Sequence, residues 1–163
     1  MLKDLRLLKT SFTCDTPELT YQLGLMIGER AKPGEIWNLE GPLGGGKTQF
    51  VKGLAKGLGY EGQVTSPTFS LQHIYEGRLP LYHFDWYRLE KSKEVEDLGW
   101  FDWIGKGGVV AVEWGDKFPK LFPPTLLKLS FEILSEGERR LSVEATHPES
   151  IPQVEELIRC WPP

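Results

Sequence analysis

Residues 41–48 read GPLGGGKT and fit the pattern G-x-x-x-x-G-K-[ST], which is typical of loops that bind nucleotide phosphates. Glycine accepts positive φ and places no side chain between the backbone and a ligand, so successive N–H groups can surround a phosphate. In such a loop Lys47 reaches the β- and γ-phosphates, and the Thr48 hydroxyl holds Mg²⁺. The alternative is a glycine-rich loop that contains Gly-Lys-Thr by chance.

The sequence on either side of the loop favours the phosphate-binding interpretation. Residues 35–40 (EIWNLE) indicate a short buried strand that runs into the loop. After the loop, apolar residues recur at the spacing of one helix face, and Gly59 can end that helix. These apolar residues are Phe50, Val51, Leu54, Ala55 and Leu58. Strand, loop and helix therefore follow one another in the order that a phosphate loop requires.

The rest of the chain shows patterns typical of both strands and helices. Thr16 and Pro17 indicate a helix start, with Thr16 as the N-cap, and the apolar run at 108–113 predicts a strand in the middle of a sheet. The buried face of that first helix is predicted to comprise Leu19, Leu23, Met26 and Ile27. Other predicted strands are 5–12, 69–75, 79–84, 127–133 and 141–145; other predicted helices are 90–98 and a C-terminal one with Val154, Leu157, Ile158 and Trp161 inward.

These elements predict an α/β fold of the P-loop nucleotide-hydrolase type. Its central sheet would be mostly parallel, with antiparallel hairpins turning at 76–77 and 135–137 and with helices flanking the sheet. The nucleotide would bind at the carboxyl edge of the strands. A length of 163 residues with 40% hydrophobic and 26% charged residues predicts one domain over 1–163.

Composition also bears on location and partners. The first residues carry charges where a secretory signal is apolar, and no run approaches the roughly 18 apolar residues of a membrane span, so we expect a cytoplasmic protein without a membrane partner.

The spacing of Cys14 and Cys160 favours free thiols over a disulfide or a zinc site. The net charge of −4 argues against direct binding of duplex nucleic acid. A local basic patch of Lys52, Lys56, Arg139 and Arg140 is the alternative to scattered surface cations.

Two predicted strands end in acids. Phosphoryl transfer requires a carboxylate that holds Mg²⁺ directly or through water, and usually a group that positions the attacking nucleophile. The apolar strand that delivers Glu113 has the Walker B form, and Asp85 follows another strand. The alternative for either acid is that it caps its strand end or pairs with an arginine such as Arg88.

Four segments, taken in order, resemble the motifs of the TsaE family, formerly YjeE. They are GPLGGGKT at 41–48, SPTF at 66–69, HFDWYR at 83–88 and EW at 113–114. The resemblance spans roughly residues 10–115, and beyond Trp114 only the strand layout is similar. TsaE proteins are bacterial P-loop ATPases required to make threonylcarbamoyladenosine, next to the anticodon, in tRNA.

The resemblance implies a slow Mg-dependent ATPase that works with the TsaB and TsaD proteins and meets tRNA only through that complex. It implies that Asp85 orients metal or water, that Thr68 senses the γ-phosphate from a switch-like loop, and that Trp114 lies near the nucleotide. An ordinary turn is the alternative for the Ser66-Pro67-Thr68 tripeptide. The expected catalytic residues are Lys47, Thr68, Asp85 and Glu113; the expected ATP contacts are Thr16, Gly41, Leu43, Gly44, Gly45, Gly46, Lys47, Thr48 and Trp114; the expected Mg²⁺ ligands are Thr48, Asp85 and Glu113.

Three further questions stay open in the sequence. A small-molecule or nucleoside kinase would also place a phosphate loop on a compact α/β domain, although no inserted segment is long enough to serve as its lid. The second question is whether Arg139 or Arg140 reaches the phosphates; the alternative is that both are solvated residues of the turn. Trp100 and Trp103 either form a docking patch or pack in the core. The absence of an N-K-x-D sequence, together with the resemblance, favours ATP over GTP.

Overall fold

A computed structural model describes residues 8–65 and 71–162 and contains a central β-sheet with helices on both faces. The strands are β1 (Leu8–Cys14), β2 (Ile36–Glu40), β3 (Gln72–Tyr75), β4 (Leu81–Asp85), β5 (Val109–Glu113), β6 (Leu127–Ile133) and β7 (Arg139–Ala145). The α-helices are α1 (Pro17–Arg30), α2 (Lys47–Gly57), α3 (Ser92–Asp97), α4 (Trp100–Ile104) and α5 (Ile151–Cys160), and short 3-10 helices span Gly115–Lys117 and Pro119–Leu121.

The strand order is β1-β7-β6-β2-β5-β4-β3. The four central strands, β6, β2, β5 and β4, are parallel, whereas β3 at one edge and β7 and β1 at the other are antiparallel to their neighbours. This confirms the predicted mostly parallel sheet with antiparallel hairpins. Because β2, β5 and β4 run side by side in one direction, their carboxyl ends meet at one edge of the sheet.

Hydrophobic side chains form one layer on each face of the sheet. Alternate residues of β2 enter different layers: Trp37 and Leu39 face α1, α2 and α5, whereas Ile36 faces α3 and α4. All five residues of β5 are buried, as predicted for a strand in the middle of the sheet. Among the described residues, no helix is long and apolar enough to cross a membrane.

Trp100 belongs to the second layer. It is 1% exposed, its ring lies edge-on to those of Phe84 and Trp86, and its Nε1 donates to the carbonyl oxygen of Leu121 at 2.9 Å. Trp103 is partly buried and packs on Tyr82 at a ring-centroid distance of 4.9 Å. Core packing is therefore the role of these rings, and the docking-patch alternative does not hold for Trp100.

Helices α1 and α2 approach each other backbone to backbone. A Cβ atom on Gly53 would overlap the carbonyl oxygen of Tyr21, and one on Gly24 would overlap that of Phe50. Gly28 and Gly57 are equally confined, so each helix carries two glycines four residues apart at the crossing. This contact brings α2, and with it the phosphate loop, firmly against α1.

Several local predictions are confirmed. Thr16 caps α1, its hydroxyl accepting from the Leu19 N–H at 3.3 Å, and Pro17 is the first helical residue. Cys14 and Cys160 are free thiols. Both predicted hairpins form, β3 with β4 and β6 with β7.

Other predictions were wrong in detail. Ile158 is 45% exposed, because it lies one residue beyond buried Leu157 and so points away from the sheet. Trp161 packs inward as predicted, but it follows the end of α5 and reaches Phe12 from an irregular segment. The predicted helix at 90–98 is shorter, and after Gly99, with φ of 85°, the separate helix α4 begins. The predicted strands at 5–12 and 69–75 each lie partly outside the described residues.

Candidate nucleotide-binding site

The predicted phosphate loop, called the phosphate loop below, joins the carboxyl end of β2 to the amino end of α2. Gly44 and Gly46 have φ of 79° and 104°, values that residues with a Cβ atom rarely adopt. A Cβ on Gly41 would lie 2.9 Å from the carbonyl oxygen of Phe131, so the loop backbone packs directly on β6. Glycine is therefore required here both for backbone conformation and for close packing.

The loop faces a cleft at the carboxyl edge of the sheet. Asp85 lies beside Glu113 in the parallel pairing of β4 with β5, and Leu39 at the end of β2 is the other neighbour of Glu113. The cleft has a volume of about 830 Å³, within the range of small-molecule sites. It is lined by Leu43, Gly44, Gly46, Lys47, Thr48, Gln49, Asp85, Tyr87, Glu113 and Trp114.

Lys47 lines this cleft and is only 8% exposed. Its ammonium group donates to the carbonyl oxygen of Gly41 at 2.9 Å and lies 3.8 Å from Oε1 of Glu113. The same nitrogen is 5.4 Å from the ring centroid of Trp114. The positive charge is thus held inside the loop, at the position from which it would meet phosphate oxygens.

Glu113 is 7% exposed, and its second oxygen, Oε2, lies 2.8 Å from Nε2 of His83. An ionised carboxylate only accepts hydrogen bonds, so Nε2 carries the proton in this contact. Burial raises the pKa of the Glu113 carboxyl, but the hydrogen bond and charge of His83 and the charge of Lys47 outweigh it and lower that pKa overall. Glu113 is therefore ionised at neutral pH.

Asp85 is 5% exposed and uses Oδ1 to accept from the backbone N–H of Tyr87 at 2.9 Å. Asp85 therefore caps its strand end with one oxygen, as the alternative interpretation of this acid proposed. The same residue also lines the cleft. Beside it, the ring of Tyr87 packs on that of Trp114 at 5.0 Å. Trp114 has φ of 64°, a conformation that is strained for a bulky residue.

Most of the predicted site residues meet in this cleft, and the exceptions are few. Gly41 contributes its carbonyl to Lys47, and Gly45 is buried behind the loop surface. Thr16 caps α1 and is not part of the cleft lining, so its contact with ATP stays a prediction. Thr68 and the rest of 66–70 lie outside the described residues, and so does the predicted switch-like role.

Sequence reasoning assigned no role to His83, Tyr87 or Gln49. A signal for the first two was available, because His83 and Asp85 lie two apart on one strand and so point to the same face, and Tyr87 continues the segment. Gln49 follows the predicted metal residue Thr48 directly, within the first turn of α2.

Arg139 also departs from the prediction. Its Nη2 donates to the carbonyl oxygen of Gly44 at 3.0 Å, so it contacts the phosphate loop and is not merely a solvated turn residue. Arg140 pairs with Glu132 at 2.6 Å and Lys56 with Glu61 at 3.1 Å, both on the exposed surface, as the scattered-cation alternative expects.

The oxygen donors of the cleft fit a magnesium ion. Mg²⁺ prefers hard oxygen ligands, and it commonly uses one or two protein carboxylates together with water and substrate phosphates. The Thr48 hydroxyl and the carboxylates of Asp85 and Glu113 provide such oxygens on one cleft lining. Within 8–65 and 71–162, no group of three His, Cys, Asp or Glu side chains forms a closed metal cage, and Mg²⁺ in nucleotide sites does not need one.

Comparison with known proteins gives a consistent picture. Residues 14–141 match the family described as "Threonylcarbamoyl adenosine biosynthesis protein TsaE". Proteins named "tRNA threonylcarbamoyladenosine biosynthesis protein TsaE" from Treponema pallidum (strain Nichols) and Bacillus subtilis (strain 168) are both 40% identical to this chain. These matches cover 76% and 88% of this chain and 92% and 90% of the relatives.

A solved structure adds the same likeness at the level of the fold. The crystal structure of Bacillus subtilis YdiB matches with a TM-score of 0.80 at 32% identity, over 94% of this chain and 97% of that one. Family match, sequence identity and fold agree over the region that contains the phosphate loop, Asp85 and Glu113. The chain belongs to the TsaE family.

Proposed function

We propose that this protein binds Mg-ATP in the cleft and hydrolyses it to ADP and phosphate as a component of tRNA threonylcarbamoyladenosine biosynthesis. One observation carries the proposal: the buried Lys47 ammonium and the ionised Glu113 carboxylate meet 3.8 Å apart at the phosphate loop. A cation for the phosphates and a carboxylate for the metal are the two charges that phosphoryl transfer requires at this place.

Binding would use the amino end of α2. The first N–H groups of a helix have no partner within the helix, and the helix dipole adds partial positive charge there. Lys47 would exchange its contacts with Gly41 and Glu113 for oxygens of the β- and γ-phosphates. Thr48 and Glu113 would hold Mg²⁺, which supplies neutralisation of the phosphate charge when bound.

Hydrolysis needs a water molecule that attacks the γ-phosphorus while the bond to the β–γ bridging oxygen breaks. We propose that Asp85, at the end of β4 beside Glu113, orients this water or the metal. The lowered pKa of Glu113 keeps it ionised, so it acts as a ligand and not as a proton donor. Thr68 would sense the γ-phosphate, as the family resemblance implies.

The relatives' names place those proteins in tRNA threonylcarbamoyladenosine biosynthesis. We propose that this chain works in the same pathway with TsaB and TsaD, and that ATP hydrolysis drives cycling of their complex. The net charge of −4 supports contact with tRNA through that complex and not directly.

The deciding experiment incubates the chain with Mg-ATP, alone and with TsaB and TsaD, and measures released phosphate. Slow release that the two partners stimulate supports the proposal. Transfer of phosphate to a small acceptor would replace the ATPase with a kinase. Glu113→Gln should abolish the Mg²⁺-dependent release, whereas Asp116→Asn, which alters an exposed acid three residues later, should not.

Lys47 offers a test of binding alone. Hydrogen bonds to charged groups contribute about 1.5–3 kcal/mol, so Lys47→Ala should weaken ADP binding by roughly 10- to 100-fold in calorimetry. The matched control is Lys52→Ala, an exposed lysine on the same helix that is remote from the cleft lining. Equal ADP affinity in both variants would contradict the assignment of Lys47.

A further inference from the structure

We propose that Arg139 is a positioning residue that holds the phosphate loop in its binding conformation from the hairpin of β6 and β7. The inference rests on the proposed nucleotide binding, because it states how the same loop is kept ready for phosphates. It concerns a residue 95 positions away from the loop in the chain.

The Arg139 guanidinium connects two separate segments. Nη2 donates to the carbonyl oxygen of Gly44 at 3.0 Å. Nη1 donates within the hairpin turn, to the carbonyl oxygens of Ser135 at 2.8 Å, Glu138 at 2.9 Å and Glu136 at 3.2 Å. A planar guanidinium with several fixed donors can make these contacts at once, whereas a lysine ammonium lacks that geometry. The turn therefore anchors the side chain, and the side chain anchors the loop.

The peptide group between Gly44 and Gly45 is held at both ends. Its carbonyl oxygen accepts from Arg139, and its N–H donates to the carbonyl oxygen of Pro42 at 3.0 Å. Glycine backbones are free to rotate, and Gly44 has φ of 79° in a position where a Cβ atom would meet no neighbour within 4 Å. No neighbouring side chain packs at the Gly44 Cα, so on that side the peptide is restrained by its two hydrogen bonds.

The same hairpin supports the loop from a second side. Phe131 of β6 packs against the backbone of Gly41 and Gly45, and its ring lies edge-on to that of Phe50 in α2. Phe131 limits how close the loop can come to the sheet, while Arg139 fixes the direction of the Gly44 carbonyl. Fixing the loop before the ligand arrives lowers the entropy lost on binding.

The test compares three variants in the full chain. Arg139→Gln removes the guanidinium, Arg139→Lys keeps the charge, and Ser135→Ala removes the hydroxyl that bonds Glu138 in the same turn without touching the loop. Arg140→Gln serves as the control for surface charge, because Arg140 pairs with exposed Glu132.

We expect two changes in Arg139→Gln that can be measured without ATP turnover. Amide hydrogen exchange of the nucleotide-free protein should become faster at Gly45, and ADP affinity in calorimetry should fall about 10-fold, the loss of one charge-assisted hydrogen bond. The KM for ATP should rise by a similar factor while kcat stays within about twofold, since a positioning residue acts on binding. Arg139→Lys should not restore either quantity, and Ser135→Ala and Arg140→Gln should match the wild type.

Restoration by Arg139→Lys would overturn the inference, because charge alone would then explain the effect. Unchanged exchange and ADP affinity in Arg139→Gln would also overturn it. If Arg139→Gln does not fold, amide exchange at Gly45 is measured in Arg139→Lys instead. Faster exchange than in the wild type supports the inference, and unchanged exchange overturns it. A wild-type protein that binds no ADP would defeat the proposed function, yet exchange at Gly45 without nucleotide would still test the role of Arg139.

Discussion

The Glu113 carboxylate has an N–H-bearing partner near each oxygen. Lys47 lies 3.8 Å from one oxygen, and the protonated Nε2 of His83 lies 2.8 Å from the other. Burial alone would favour the neutral acid, but these neighbours keep it ionised and hold its orientation. If Glu113 holds Mg²⁺ as we propose, His83 would act on that ligand through a hydrogen bond, as outer groups around metal sites commonly do.

The lowered pKa of Glu113 predicts how stability depends on pH. A carboxyl whose folded-state pKa lies below its ordinary value of 4.5 stabilises the fold above 4.5, and this contribution is lost as pH falls through the folded-state pKa. The stability difference between wild type and Glu113→Gln should therefore shrink as the pH falls below 4.5. Urea denaturation of both proteins, in the presence of a metal chelator and at several pH values, measures this difference in the free energy of unfolding.

Glu35 provides a comparison of opposite sign. Burial raises the pKa of this carboxyl, against the hydrogen bonds from the Lys32 N–H and Trp37 Nε1. The contribution of Glu35 to the free energy of unfolding is complete below pH 4.5 and is lost as the pH rises through the raised folded-state pKa. The difference between wild type and Glu35→Gln should thus decrease with rising pH, and a difference that grows with pH would contradict the assignment of Glu35.

At the scale of elements, the crossing of α1 and α2 depends on absent side chains. Glycine within a helix lowers its stability by about 1 kcal/mol relative to alanine, so helix propensity alone argues against Gly24, Gly28, Gly53 and Gly57. The structure explains them, since any Cβ at these positions would overlap backbone atoms of the facing helix. Close contact here positions the first turn of α2, which carries Lys47 and Thr48.

Gly53→Ala should therefore destabilise the protein in spite of the better helix propensity of alanine. Overpacking typically costs about 1–3 kcal/mol, and the backbone of α1 leaves little room for adjustment. Chemical denaturation measures the change in unfolding free energy. Lys52→Ala, one residue earlier and exposed, should be neutral or slightly stabilising. Equal stability of the two variants would show that the helices can separate without loss.

At the scale of the whole molecule, the two hydrophobic layers share one sheet. Trp37 reports on the layer of α1, α2 and α5, while Trp86 and Trp100 report on the layer of α3 and α4. All three rings are fully buried, so their fluorescence should change on unfolding.

We expect residues 1–163 to unfold as one cooperative domain. Tryptophan fluorescence and far-UV circular dichroism should then follow the same urea transition. ADP at about 100 times its Kd should shift the whole transition by roughly 2.7 kcal/mol. Two separate transitions, only one of them sensitive to ADP, would contradict the single-domain prediction.

Local patterns were enough to predict much of this protein. The spacing of glycines with Lys47 and Thr48 predicted a loop between a strand and a helix, and the structure has that loop between β2 and α2, because the motif is a continuous stretch of backbone. The apolar run before Glu113 predicted a strand in the middle of the sheet, and its parallel pairing with the strand that ends in Asp85 brings both carboxyl ends to one edge. Alternation with a period of two predicted the hairpin of β6 and β7, since it reports which face of a strand is buried, and the turn at 76–77 predicted the hairpin of β3 and β4.

Only the tertiary structure decided which distant residues meet. His83 and Glu113 are 30 positions apart, and Arg139 and Gly44 are 95 apart, so no local period relates them. The exposure of Ile158 and the burial of Trp100 likewise depend on which element covers each position. The physical reason is that periodicity reports the face of an element, whereas strand order and helix packing determine what that face touches.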